Sequence, residues 1–101
     1  MAMVALSISP HGAGASVGEY VAEALRVLKN QNDVRWEVGP MFTTIEGDLP
    51  RIFELVVEME EAIFAKGIDR VATVVKVDSR RDKPLTAEGK TGRIKELLSE
   101  A

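Results

Sequence analysis

The sequence predicts an α+β fold: a βαββαβ sandwich in which a four-stranded antiparallel sheet carries two helices on one face, with a short C-terminal helix added. Three observations lead there. Apolar residues alternate with a period of two near the start and again in the middle of the chain. Two apolar stripes at helical spacing lie between strand-like stretches, and Gly, Pro and Asp punctuate every boundary.

The first strand runs from Met3 to Ser9, with Val4, Leu6 and Ile8 alternating with Ala5, Ser7 and Ser9. Pro10, which has no N–H to give a ladder, is expected to end it. Pro10–Ala15, with Gly12 and Gly14, then reads as a loop. Ser16 and Glu19 have capping-box spacing, in which two side chains satisfy backbone donors at a helix start. The stripe Val17, Tyr20, Val21, Ala24, Leu25 and Leu28 follows, and Asn30–Asp33 breaks it.

Val34, Trp36 and Val38 alternate with Arg35 and Glu37 as a half-buried strand, Gly39-Pro40 turns the chain, and Met41–Glu46 pairs back as a hairpin. Gly47-Asp48 starts the second helix, with Asp48 as N-cap and Pro50 tolerated in the first turn. Its stripe is Leu49, Ile52, Phe53, Val56, Met59, Ile63 and Phe64, and Gly67 is placed at C′. Ile68–Asp78 is the last strand, Ser79–Pro84 a charged loop, and a helix covers part of Glu88–Ser99 through Ile94, Leu97 and Leu98.

This order is the ferredoxin-like split βαβ arrangement. Right-handed crossovers put both long helices on one side of the sheet, leaving the other side bare. The last strand is apolar on both faces, which suits a sheet whose second side is also covered. A second copy of the chain is the simplest cover, and the C-terminal helix is the alternative.

The 101 residues make room for one domain, 1–101, with one core. Composition narrows the function. A net charge of -3 gives no electrostatic reason to expect nucleic acid or an anionic membrane. The absence of cysteine excludes disulfides, thiolate metal sites and cysteine nucleophiles. With no signal-like start and no apolar run near 18 residues, the expected location is the cytoplasm.

His11 is the only histidine and has no second ligand at metal spacing, so no metal is expected. The glycines before the first helix miss the dinucleotide fingerprint, because Val17 stands at the third glycine position. That helix start either holds an anion or is an ordinary capped turn. Thr44 and Glu46 share one face of their strand, while Thr43 shares the other with Met41 and Ile45. A buried carboxylate needs partners. Glu46 is therefore either a solvated strand-end acid or a hydrogen-bond acceptor for a ligand, an exocyclic amino group of an aminopyrimidine being one fit. No serine–histidine–acid set or paired-acid motif is visible, which removes the common hydrolase classes. Charge is segregated: six acids against Arg51 lie between Glu46 and Glu61, and seven bases against three acids between Lys76 and Lys95. Such regions pair within a subunit or across an oligomer contact.

Three stretches carry a family resemblance: Ser7-Ile8-Ser9-Pro10 with Gly14-Ala15-Ser16-Val17 and Tyr20-Val21, then Pro40 to Gly47, then Arg80 to Thr86. They occur in order from Val4 to about Leu98, and the chain resembles the small thiamine-binding, YkoF-like family. Two positions depart from the family pattern: Ala5, where many relatives have an acid, and Phe42, where glycine is frequent. The resemblance implies a ferredoxin-like homodimer or homotetramer that binds thiamine or its hydroxymethylpyrimidine half without catalysis, using no further cofactor. Carried over by position, it implies Ser7, Ser16, Thr43 and Glu46 as the polar groups near the ligand. Two other expectations stand beside it: an assembly or regulatory module that senses another metabolite, and an enzyme on the dimeric α+β barrel plan.

Overall fold

Sheet order is β2-β3-β1-β4 with every neighbouring pair antiparallel. The computed structural model describes residues 1–12, 14 and 17–99. Among these the chain runs β1 (Ala2–His11), α1 (Gly18–Lys29), β2 (Arg35–Glu37), β3 (Thr43–Gly47), α2 (Leu49–Phe64), β4 (Arg70–Ser79) and α3 (Ala87–Ser99). This is the expected βαββαβ order with its added helix, and β1 and β3 are the central strands.

Burial alternates along β1: Ala2, Val4, Leu6, Ile8 and Pro10 are buried, while the residues between them are half-buried. Directly opposed residues share a face. Ile45 and Val77 opposite Val4, and Thr43 and Val75 opposite Leu6, therefore look toward the helices. Glu46 and Asp78 opposite Met3, and Val74 opposite Ser7, look outward. Val4, Leu6 and Ile45 meet Ala24 and Leu28 of α1 and Ile52, Leu55, Met59 and Ile63 of α2 in one core cluster. Each large side chain fully buried there contributes about 1.5–3 kcal/mol.

Several boundaries differ from expectation. Pro10 does not end β1, which continues to His11 opposite Arg70. Pairing with β3 stops at Leu6, so beyond it β1 has a ladder on one side only and tolerates a residue without an N–H. β2 is shorter than expected, β3 begins at Thr43 rather than Met41, and β4 spans Arg70–Ser79 rather than Ile68–Asp78. α1 begins at Gly18 with Val17 in the cap position and no side-chain cap bond, so the capping box is not the start seen; Ser16 lies outside the described residues. Asp48 does occupy the cap of α2, without a side-chain bond. That helix buries Leu55, which the expected stripe omitted, and leaves Phe53 and Phe64 exposed. Its C-cap is Ala65, so Gly67 sits at C″ rather than C′.

Gly47 is required where β3 hands over to α2. Its φ is 157°, and a Cβ there would lie 2.9 Å from Val34 Cγ1, so a side chain would push β2 away from the core.

α3 stands apart from the layers. It has no buried residue. The radius of gyration is 15.3 Å, against about 13 Å for a compact chain of this length. The longest extent is 50 Å against 29 and 19 Å, the signature of a projecting helix. No described helix is long and apolar enough to cross a membrane.

Candidate functional site

The register leaves β1 with a free edge from Ser7 onward, because β3 pairs only as far as Thr43 opposite Leu6. Along such an edge, alternate residues point backbone N–H and C=O groups at whatever lies beside it. A cleft of about 230 Å³ lies there. Its floor is Leu6 to Ser9, α1 supplies Val21 and Leu25 as one wall, and Val38 to Met41 of the β2–β3 connection with Thr43 supply the other. The combination is an apolar slot with a few convergent polar groups, the usual chemistry of a small-molecule site.

Ser7 and Thr43 come from opposite faces of the sheet and meet at this edge. Thr43 is 7% exposed, and neither hydroxyl has a hydrogen-bond partner among the described residues. Ser16 lies outside the described residues. Glu46 is elsewhere: it opposes Met3 at the far end of β1, four positions from Ser7, on the outward face. Within the chain, Ser7 and Thr43 therefore line one cleft and Glu46 does not. Strand residues rise about 3.3 Å each, so four positions separate the groups by about 13 Å.

Glu46 is instead committed to α3. It is 6% exposed, and its Oε1 accepts the backbone N–H of Ala87 at 2.7 Å. Thr86 Oγ1 accepts the N–H of Gly89 at 3.0 Å. Together they satisfy two of the donors that every helix start leaves free. Arg35 donates to Glu88 Oε1 at 2.9 Å and stands 3.8 Å from Glu46 Oε2, which otherwise has no hydrogen-bond partner among the described residues. Lys90 Nζ donates to Asp78 Oδ2 at 2.6 Å. That hydrogen bond, and then the charge of Lys90, holds the Asp78 carboxyl below the usual carboxylate range. Leu85 is buried beside these groups, so the root of α3 is nailed to the outward face.

A wider depression, about 410 Å³, lies outside α1 among Glu19, Glu23, Arg26 and Lys66. Glu23 pairs there with both Arg26 and Lys66. Long, mutually paired side chains over solvent make a poorer receptor than the walled slot at the β1 edge. His11 is exposed at the end of β1, and no cluster of metal-ligating side chains occurs among the described residues. Ser9 is a cleft residue that sequence reasoning left out; its position two residues from Ser7 on one strand was the available signal. Nothing local pointed to the backbone of Ala87 as the partner of Glu46, because 41 residues separate them.

Residues 4–95 match the family described as thiamine-binding protein, and the chain belongs to that family. A UPF0045 protein of Staphylococcus xylosus is 38% identical over 104 residues, covering 99% of this chain and 97% of its own. A crystal structure of a hypothetical protein from Methanocaldococcus jannaschii superposes with a TM-score of 0.85 at 38% identity, covering 94% of this chain and 96% of that one. A Thermotoga maritima protein, whose name suggests thiamine biosynthesis or salvage, shares the fold with a TM-score of 0.76 at 22% identity, covering 92% and 97%.

Proposed function

From its membership in the thiamine-binding protein family, we propose that this chain binds the hydroxymethylpyrimidine ring of thiamine, free or as part of thiamine, in the cleft along the open edge of β1, as a cytoplasmic homo-oligomer and without catalysing a reaction. The observation that carries this reading is the cleft itself: apolar walls from α1 and the β2–β3 connection around the Ser7 and Thr43 hydroxyls, which have no hydrogen-bond partner among the described residues. A flat aminopyrimidine has donor and acceptor edges that suit an open strand edge and two hydroxyls, while its faces suit Val21, Leu25 and Val38. About 230 Å³ is below the range that encloses drug-sized ligands, so one ring fits better than the whole of thiamine. Among the described residues no acid lines the cleft to face the thiazolium charge, which again favours the pyrimidine half. Ser16 stays in the proposal only by its place in the sequence, and Glu46 enters it through α3 rather than through the ligand.

Calorimetry with hydroxymethylpyrimidine and with thiamine tests the reading. Heat of binding that is weakened in Ser7→Ala and Thr43→Val supports it; no heat from either compound at millimolar concentration overturns it. A pure assembly module is the second reading. It is favoured by the exposed apolar residues of β4 and α3, and it predicts an oligomer by light scattering with no heat from either ligand.

A further inference from the structure

Two apolar stripes are left without a partner in the chain, and they lie on opposite sides of the sheet. The first is on α2. Phe53, Val57 and Phe64 recur at spacings of four and seven on the flank beside the core face, and Val57 is 59% exposed. Glu60 on the same flank accepts a hydrogen bond from Thr73, so this flank borders β4, where Val77 is also exposed on the helix side. The second is on α3, where Ile94, Leu97 and Leu98 recur at three and four, with Leu98 70% exposed.

The rims are opposite in charge. Glu54 and Glu61 edge the α2 stripe, and Lys90 and Lys95 edge the α3 stripe. Glu54 is drawn to Arg51 and Lys90 to Asp78, whereas Glu61 and Lys95 make no ion pair among the described residues. The two stripes cannot meet within one chain. Glu46, Arg35 and Asp78 fix the root of α3 to the outward face, while α2 covers the inward one. Their lengths agree, at about 20 Å for the 13 residues of α3 and about 24 Å for the 16 of α2.

We infer that α3 is an exchange arm: its Ile94–Leu97–Leu98 stripe packs on the exposed apolar flank of α2 beside β4 in a second copy of this chain, with Lys95 of one copy facing Glu61 of the other. The contact rests on the homo-oligomeric part of the reading above and names its surface. Burial of both stripes is the driving force, and the charged rims set register and reject like-charged pairings.

The chain has no cysteine, so intermolecular contacts can be mapped directly. Val57→Cys is made in isotope-labelled chain and Leu98→Cys in unlabelled chain, both at exposed positions. The two are mixed, allowed to exchange, oxidised and analysed by peptide mass spectrometry alongside light scattering of the same sample. The expected result is an oligomer with 57-to-98 links at least several-fold in excess of 57-to-57 and 98-to-98 links. In parallel, Lys95→Glu lowers the assembled mass and Lys95→Glu with Glu61→Lys restores it. An oligomer that gives only same-position links, or none, overturns the arm while leaving the homo-oligomer and the ligand cleft intact. A monomer overturns both the arm and the homo-oligomer.

Discussion

β1 and β4 are adjacent strands of ten residues each, paired along their whole lengths and similar in apolar content, yet they differ sharply in burial. β1 carries Ser7, Ser9, Pro10 and His11, and five of its residues are buried. β4 carries Val71, Ala72, Val74, Val75 and Val77, and among the described residues of the single chain none of these is buried. The difference is position. β1 has neighbours on both sides near its start and helices above it, whereas β4 is the sheet edge, with α2 only along its flank. An apolar edge strand of this length invites further pairing or cover. Hydrophobicity in β1 is therefore satisfied within the chain; in β4, Val71 and Val75 pack against the core on one side while Val74 and Val77 stay exposed.

The contrast can be broken most directly by truncating each strand in turn. Leu6→Ala removes a fully buried side chain that meets both helices, and a loss of about 2–5 kcal/mol is expected in urea unfolding. Glu46→Ala, next to Met3 of β1, strips the Ala87 N–H of its acceptor and removes the carboxylate 3.8 Å from Arg35. It is expected to cost about 1–3 kcal/mol and to speed amide exchange selectively in α3. Unchanged exchange there would mean the carboxylate does not hold the helix. Thr43→Val keeps the shape beside β1 and deletes only the hydroxyl, so hydroxymethylpyrimidine affinity is expected to fall by about 0.5–1.5 kcal/mol by calorimetry, with stability barely changed. Val74→Ser on β4 is expected to shift urea unfolding of the dilute chain by no more than about 0.5 kcal/mol. Val74 is 57% exposed, so a loss as large as that of Leu6→Ala in a monomeric sample would break the comparison.

The smallest effect concerns pH. The Asp78 carboxyl is held below its ordinary value by Lys90, so the folded state binds this proton less readily than the unfolded one. The resulting stabilisation is present above the ordinary carboxylate pKa, near 3.9, and is lost as the pH falls through the lower folded value. Amide exchange in the first turn of α3 is expected to rise in that acid window, and Lys90→Met is expected to flatten the change.

Element order and much of the core are legible in the sequence. The alternation of Val4, Leu6 and Ile8, the stripes through Ala24, Leu28, Ile52, Met59 and Ile63, and the cap position of Asp48 are all local signals. They fail where a flank competes with a face: Phe53 and Phe64 fit the stripe of α2 by spacing, but Leu55 takes the buried place. Part of the candidate site was legible too. Ser7 and Thr43 were picked by residue type and family pattern, although they point to opposite faces of the sheet and only a free strand edge lets them line one cleft. Phe42, the departure noted in the sequence, is partly exposed next to that connection.

What the sequence determined alone is which segments form strands and helices and which side of each is apolar, because those depend on periodicities of two and 3.6 within a few residues. What only the tertiary structure decided is which strand is central, where a ladder stops, and which distant group completes a polar one. The end of β3 pairing at Leu6 opens the cleft, and the backbone of Ala87 takes the Glu46 carboxylate that residue type alone had offered to a ligand. Both follow from packing between segments far apart in the chain, where the energies of pairing and desolvation are set by neighbours that no local pattern specifies.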